Sequence, residues 1–220
     1  LNPGIRGSAW RPRDARRAKA KVFKIDPGGS PGLPHLGPGV VGVRTGEVRL
    51  NPEEVQFDEW LDSIADILRQ NLSEARIQLQ TEFEFRGTVS IDREKMRTVV
   101  MDMASNAKDA MPDGGTFTIS TARDGENWQL GLQDTGTGIP VEHRSKIFDL
   151  FATFGKAEGT GLGLAMVDEI VQGHGGNIRM ESCVVGENGS PTSGTKFIIS
   201  APISQPVLDS EETSGGDSRE

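Results

Sequence analysis

The chain has a single cysteine, Cys183, among its 220 residues. That excludes an intrachain disulfide and any metal cage built from thiolates alone, and it points to a reducing, cytoplasmic compartment. No apolar run approaches the ~18 residues that a membrane-crossing helix needs, so no membrane contact is expected from this segment. The basic start is not followed by an apolar stretch, which leaves no secretory signal to recognise. The chain opens on Leu1, where a fragment edge is expected. Positive charge is also in deficit: 24 Lys and Arg face 32 Asp and Glu, for a net charge of −8. A nucleic-acid-binding face calls for the opposite balance, so no nucleic-acid partner is expected.

What charge there is lies unevenly. Residues 1–24 carry eight Lys and Arg against one acid, Asp14, and 209–220 carry five acids against Arg219. The basic section runs into Pro27-Gly-Gly-Ser-Pro-Gly-Leu-Pro-His-Leu-Gly-Pro-Gly39, which no regular helix tolerates. Residues 1–46 therefore read as a disordered or atypical basic, Gly/Pro-rich segment, with a basic stretch that touches a membrane surface or an acidic partner as the minor alternative and an out-of-frame stretch as another. The polar, acidic end, 203–220, reads as disordered.

Between these ends the patterning is regular. Trp60, Leu61, Ile64, Ile67, Leu68 and Leu72 recur at helical spacing and predict a helix over 58–75, with Asp58 as its cap. Ile77, Leu79, Thr81, Phe83 and Phe85 alternate as in a half-buried strand. Asp92 opens a second helix, 92–111, with Met96, Val99, Val100, Met103, Ala107 and Ala110 on its core face. Asp102, Asn106 and Asp109 fall at i, i+4 and i+7 on a stripe bordering that face. Oxygen donors so spaced can hold Mg²⁺ together with phosphate oxygens, although an ordinary solvated helix face gives the same pattern.

A strand over 116–122 and a turn at 124–127 lead into Trp128, Leu130, Leu132 and Asp134, which share one face. Three apolar members place that face in the core, so Asp134 sets a carboxylate at the edge of the interior. A buried acid needs a partner. Two glycines follow, Gly136 and Gly138, and permit a sharp turn and close approach of a ligand. An acceptor-only carboxylate there could receive the exocyclic amine of adenine, while a turn or cap is the plainer alternative. A short helix is expected around Ile147, Phe148, Leu150 and Phe151. Gly159, Gly161 and Gly163 then open a helix over 164–172, an arrangement suited to phosphate, with Lys156 upstream as a point charge. The run matches neither a Rossmann fingerprint nor a Walker loop, and the segment from Gly138 to Gly159 reads as a lid. His174 reads as a structural residue at that helix's end, and Cys183 as a small core residue. Strands over 176–183 and 195–202 complete the pattern, with Thr195 placed to reach the same cleft.

Taken in order, these motifs resemble the ATP-binding catalytic domain of bacterial sensor histidine kinases, within the ATPase superfamily that includes gyrase B subunits and MutL. Asp102-Met-Ala-Ser-Asn-Ala-Lys-Asp-Ala110 is similar to the N box and Asp134-Thr-Gly-Thr-Gly138 to the first glycine box. Ile147-Phe-Asp-Leu-Phe151 is similar to the F box, Gly159-Thr-Gly-Leu-Gly-Leu164 to the second glycine box, and Ser193-Gly-Thr-Lys-Phe197 to the final strand motif. The expected architecture is an α/β (α+β) two-layer sandwich of Bergerat type, with helices on one face of a mixed, mostly antiparallel sheet. The ATPase domain is expected over 47–202.

The resemblance implies roles at matching positions. Asn106 would coordinate Mg²⁺ on the ATP phosphates, supported by Asp102 and Asp109. Asp134 would accept from adenine with Thr195 nearby, while Gly136, Gly138 and Ile139 shape the base end. Lys156 and the stretch Gly159, Thr160, Gly161, Leu162 and Gly163 would hold the phosphates. Asp102, Asn106 and Lys156 would serve transfer of the γ-phosphoryl group to a histidine. The implied partners are a histidine-bearing dimerisation helix and a response regulator receiver domain.

Two features depart from the family pattern. Most members carry Asn where this chain has Asp102, and the gyrase-like branch carries Glu; an acid there could also orient water and favour hydrolysis. None of His35, His143 and His174 lies in a phosphoacceptor box, so the acceptor is expected from another segment or chain. A non-catalytic ATP-binding regulatory module and an anti-sigma-type serine kinase are the alternatives. The F box and the Gly-Leu-Gly-Leu164 ending argue against the latter.

Overall fold

A computed structural model describes residues 49–149 and 161–204. Chain order is β1 (Glu53–Gln56), α1 (Phe57–Ser73), β2 (Ile77–Phe83), β3 (Thr88–Ile91), α2 (Arg93–Ala110), β4 (Gly115–Asp124), β5 (Asn127–Asp134), α3 (Gly163–Gly173), β6 (Asn177–Cys183) and β7 (Gly194–Pro202). Five strands form one sheet in the order β2-β4-β5-β7-β6, in which only β2 and β4 run parallel. β1 and β3 pair antiparallel as a separate two-stranded sheet. The expected mixed, mostly antiparallel sandwich is thus the observed one.

Period-2 patterning decides which face is covered. Phe117, Ile119 and Thr121 of β4 point the same way as Trp128, Leu130, Leu132 and Asp134 of β5, and all are buried. Phe197, Ile199 and Ala201 of β7 with Ile178 and Met180 of β6 extend that surface. The three helices lie over it with their apolar stripes inward: Leu61, Ile64 and Leu68 on α1, Met96, Val99, Val100 and Met103 on α2, Val167, Ile170 and Val171 on α3. Full burial of such side chains contributes roughly 1.5–3 kcal/mol each. At the centre, Trp128 meets Phe57 with ring centroids 5.0 Å apart.

Asp92 stands at the start of α2 as expected and caps it, its carboxylate accepting from Lys95 N–H at 3.0 Å and from Asn51 N–H at 2.8 Å. Burial pushes its carboxyl up, but these two amides together with nearby positive charge leave its pKa below the ordinary value. His174 is the structural residue expected: its Nε2 accepts from Asp92 N–H at 2.9 Å, and its Nδ1–H donates to Ile170 O at 2.8 Å. It joins the start of α2 to the end of α3.

Several expectations are not met in full. Ile67, expected on the apolar stripe of α1, is 42% exposed. Asp58 does not cap α1: Gln56 holds the cap position because β1, a strand the sequence did not announce, runs straight into the helix. Asp58 instead sits in the first turn, where the helix dipole favours an acid, 3.8 Å from Arg86. The second strand stops at Phe83 rather than Phe85, because the Thr121 hydroxyl bonds both the N–H and the carbonyl of Phe85 and replaces the ladder there. The short helix expected around Ile147, Phe148, Leu150 and Phe151 is described only in part: a 3-10 turn covers Arg144–Lys146 just before Ile147, and Leu150 and Phe151 lie outside the described residues. Cys183 is half-buried at a strand end and not a core residue.

Candidate functional site

Asp134 ends β5 directly opposite Thr195 of β7 and Phe117 of β4. Its side chain is 7% exposed. One oxygen, Oδ1, accepts from Gly136 N–H at 2.8 Å and from Thr195 N–H at 3.2 Å. Burial pushes its pKa up to about 6, and the two amides only partly oppose that. The Thr195 hydroxyl lies 3.0 Å from Ser182 Oγ, which donates to Gly194 O at 3.0 Å and accepts from Ile139 N–H at 2.8 Å.

The glycines after Asp134 make room for backbone. A Cβ on Gly136 would come within 2.5 Å of Ala110 O, the end of α2, and Thr137 N–H donates to that same oxygen at 3.0 Å. Gly138 has φ +74°, and a Cβ there would sit 2.0 Å from Cys183 O. The turn is therefore wedged between the C-terminus of α2 and the end of β6, which only glycine permits at both points.

Across from Asp134 the α2 stripe forms the opposite wall. Asp102, Asn106 and Asp109 line the same cavity, about 740 Å³ in volume, as do Gly138, Ile139, Gly161, Gly163 and Thr195. That size falls in the range of small-molecule sites. Burial raises the pKa of Asp102 above the ordinary carboxylate value. A Cβ on Gly163 would lie 3.9 Å from Asp102 Oδ2, so the start of α3 faces this acid. No acid occupies the first turn of α3, and Leu162 makes no side-chain cap.

The structure thus gathers nine expected residues at one cleft. Gly136 and Leu162 stand outside its lining: Gly136 packs on α2, and Leu162 is exposed. Lys156, Gly159 and Thr160 lie outside the described residues. Sequence reasoning missed Thr137, His143 and Val184 in the lining, and the Ser182 hydroxyl behind it. Ser182 was in principle findable, since it sits opposite Thr195 in the β6–β7 register. Among the described residues no group of three or more His, Cys, Asp or Glu forms a metal cluster, and no helix is long and apolar enough to cross a membrane.

Comparison with known proteins agrees with this geometry. The model of the "histidine kinase-, DNA gyrase B-, and HSP90-like ATPase" family matches residues 91–205, just over half of the chain. The chain is 33% identical over 140 residues to the adaptive-response sensory kinase SasA of Synechococcus elongatus, covering 61% of this chain and 36% of that protein. It is 41% identical over 144 residues to the sensor histidine kinase WalK of Bacillus subtilis, covering 62% of this chain and 23% of WalK. The chain thus spans about a third or less of these relatives. A solved structure of the mycobacterial sensor histidine kinase MprB superposes with a TM-score of 0.59 at 27% identity, covering 71% of this chain and 100% of that one. On the ordered boxes, the Asp134 cleft and the family match together, this chain belongs to the histidine kinase-, DNA gyrase B- and HSP90-like ATPase family, and its domain is of the sensor histidine kinase kind.

Proposed function

We propose that the chain binds Mg²⁺–ATP in this cleft and acts as the catalytic domain of a two-component sensor histidine kinase. The observation that carries the reading is a buried carboxylate, Asp134, facing an oxygen-bearing helix stripe across a cavity of about 740 Å³. Backbone amides fix one carboxylate oxygen. In this reading the carboxylate accepts from the adenine amine, with Thr195 beside it and Gly138 and Ile139 along the base.

Asn106, supported by Asp102 and Asp109, would hold Mg²⁺ at the phosphates. The donor set fits: it is all oxygen, comes from one helix face and lacks a complete cage, which suits a small cation that keeps waters and phosphate oxygens. When bound, Mg²⁺ would neutralise phosphate charge. Lys156 and the 159–163 stretch, with the start of α3 at its end, would hold the phosphates by charge and by amide donors. The reaction breaks the bond between the γ-phosphorus and its bridging oxygen and forms a phosphorus–nitrogen bond to a histidine, with ADP leaving. The acceptor histidine belongs to a dimerisation helix from another segment or chain, and the phosphoryl group passes on to a response regulator receiver domain. This assignment places the ATPase domain at 47–202, flanked by the basic 1–46 and acidic 203–220 segments, in the cytoplasm.

Calorimetry with ATP, with and without Mg²⁺, tests the reading. Wild type should bind with micromolar to millimolar affinity, Asp134→Ala should lose binding, and Asn106→Ala should lose the Mg²⁺ dependence. A folded wild type that binds no ATP would refute the reading.

A further inference from the structure

One wall of the cleft is held by a charged pair that ATP binding itself leaves unused. Arg144, in the 3-10 turn, is 8% exposed. Its guanidinium makes two parallel bonds to Glu187, Nη1 to Oε1 at 2.8 Å and Nη2 to Oε2 at 2.5 Å. Its Nε–H donates to Ile139 O at 2.8 Å. Glu187 Oε2 also accepts from Val184 N–H at 3.1 Å. One ion pair thereby ties the 139–144 segment to the turn after β6.

The consequence falls on Ile139. Its carbonyl is gripped by Arg144, and its N–H donates to Ser182 Oγ, which in turn touches Thr195, the residue that donates to Asp134. Ile139, His143 and Val184 line the cleft, whereas Arg144 and Glu187 do not. Exposed ion pairs contribute little to stability. This pair differs in being two-pronged and, on the arginine side, buried, where a planar fork fixes the angle between the segments it joins. An apolar contact would hold the two segments together without setting that angle.

We propose that Arg144 and Glu187 form a strut that positions the 139–143 wall against the base end of the nucleotide, which makes Arg144 a positioning residue for ATP affinity. The proposal rests on the reading of this cleft as the ATP site. Because the strut acts at the base end, breaking it weakens ATP, ADP and adenosine by a common factor and leaves the Mg²⁺ dependence of ATP binding as it was.

The test is calorimetry with those three ligands on wild type and on the double variant Arg144→Met/Glu187→Gln. Replacing both partners avoids leaving one buried charge unpaired, which by itself can unfold a protein. A melting curve confirms that the variant is folded. Arg144→Lys, which keeps the charge and loses the fork, serves as the second variant. The double variant should weaken all three ligands by about tenfold through lost preorganisation, with the lysine variant in between. Affinities within about twofold of wild type (under ~0.5 kcal/mol), or a loss confined to the phosphorylated ligands, would overturn the strut and leave the ATP reading standing. A folded wild type that binds none of the three would overturn the ATP reading, and the strut with it.

Discussion

Replacing Asp134 by Asn should stabilise the ligand-free protein while weakening its affinity for ATP. Asparagine keeps an oxygen for the Gly136 and Thr195 amides and deletes a charge that the interior solvates poorly. Burial raises the carboxyl from its ordinary 3.8 to about 6. Below pH 3.8 the acid is protonated in both the native and the unfolded chain and contributes nothing. Between 3.8 and 6 the native protein holds a proton that the unfolded chain has released, so stability falls as pH rises. Above pH 6 the penalty is complete, at about 3 kcal/mol. Relief of that penalty in Asp134→Asn would raise the melting temperature by on the order of 5–10 °C at pH 7.5 in a domain of this size. The gain should fade as the pH approaches 4. The amide NH₂ would meanwhile turn a donor toward the adenine amine, itself a donor, and cost ATP affinity about 2 kcal/mol or more. Urea and thermal denaturation of both proteins from pH 4 to pH 8 measures the first effect, and calorimetry the second. An Asp134→Asn protein no more stable than wild type at pH 7.5, or equally advantaged at pH 4.5, refutes the desolvated carboxylate; full ATP affinity refutes its role.

Three further outcomes can be measured with the same stability assays. Gly138→Ala combines a left-handed backbone with a Cβ 2.0 Å from Cys183 O, so it should destabilise by about 3 kcal/mol or prevent folding, well beyond what an exposed Gly→Ala change does. His174→Phe leaves Asp92 N–H without its acceptor and should cost about 1–3 kcal/mol in urea denaturation; a loss under ~0.5 kcal/mol would show that His174 is a filler and not a bridge. Hydrogen bonds from Arg144 hold the Glu187 carboxyl below its ordinary 4.5, so the pair's stabilisation is present above that pH and is lost as pH falls through the lowered native value. The stability difference between wild type and Arg144→Met/Glu187→Gln should therefore shrink below pH 4.5, and a difference that grows on acidification would contradict it.

The parts of this fold that could be read from the sequence are those where one face must be apolar. Trp128, Leu130 and Leu132 announce a buried strand face by alternation alone, and Asp134 stands out as the polar member of that series. The α2 stripe follows likewise from helical spacing, and Asp92, read as the residue that opens that helix, turns out to cap it by accepting from an amide three residues on. What stayed hidden depends on partners far along the chain. β1 and β3 are four residues each and gain their meaning from pairing with each other, as Val55 opposite Val89. Arg144 reads as one more surface charge until Glu187, 43 positions on, is placed against it. Phe85 drops out of β2 because the Thr121 side chain, 36 residues away, intercepts its backbone.

The raised pKa of Asp134 also has a consequence for binding, separate from stability. Two amides already satisfy one carboxylate oxygen, and an asparagine would serve them as well. The acid is left partly protonated near pH 6. A ligand that donates to the carboxylate favours the ionised form and drives its pKa down. Binding near pH 6 should then expel about half a proton per ligand, and binding at pH 8 almost none. Adenosine is the suitable ligand, because it lacks phosphates that titrate in the same range. Calorimetry at pH 6 in two buffers of different ionisation enthalpy reads the proton count directly. Proton release at pH 6 that vanishes at pH 8 would identify Asp134 as the acceptor of the adenine amine. Binding at pH 6 with no proton exchange would mean that the base contacts something other than this carboxylate, however well it fits the cleft.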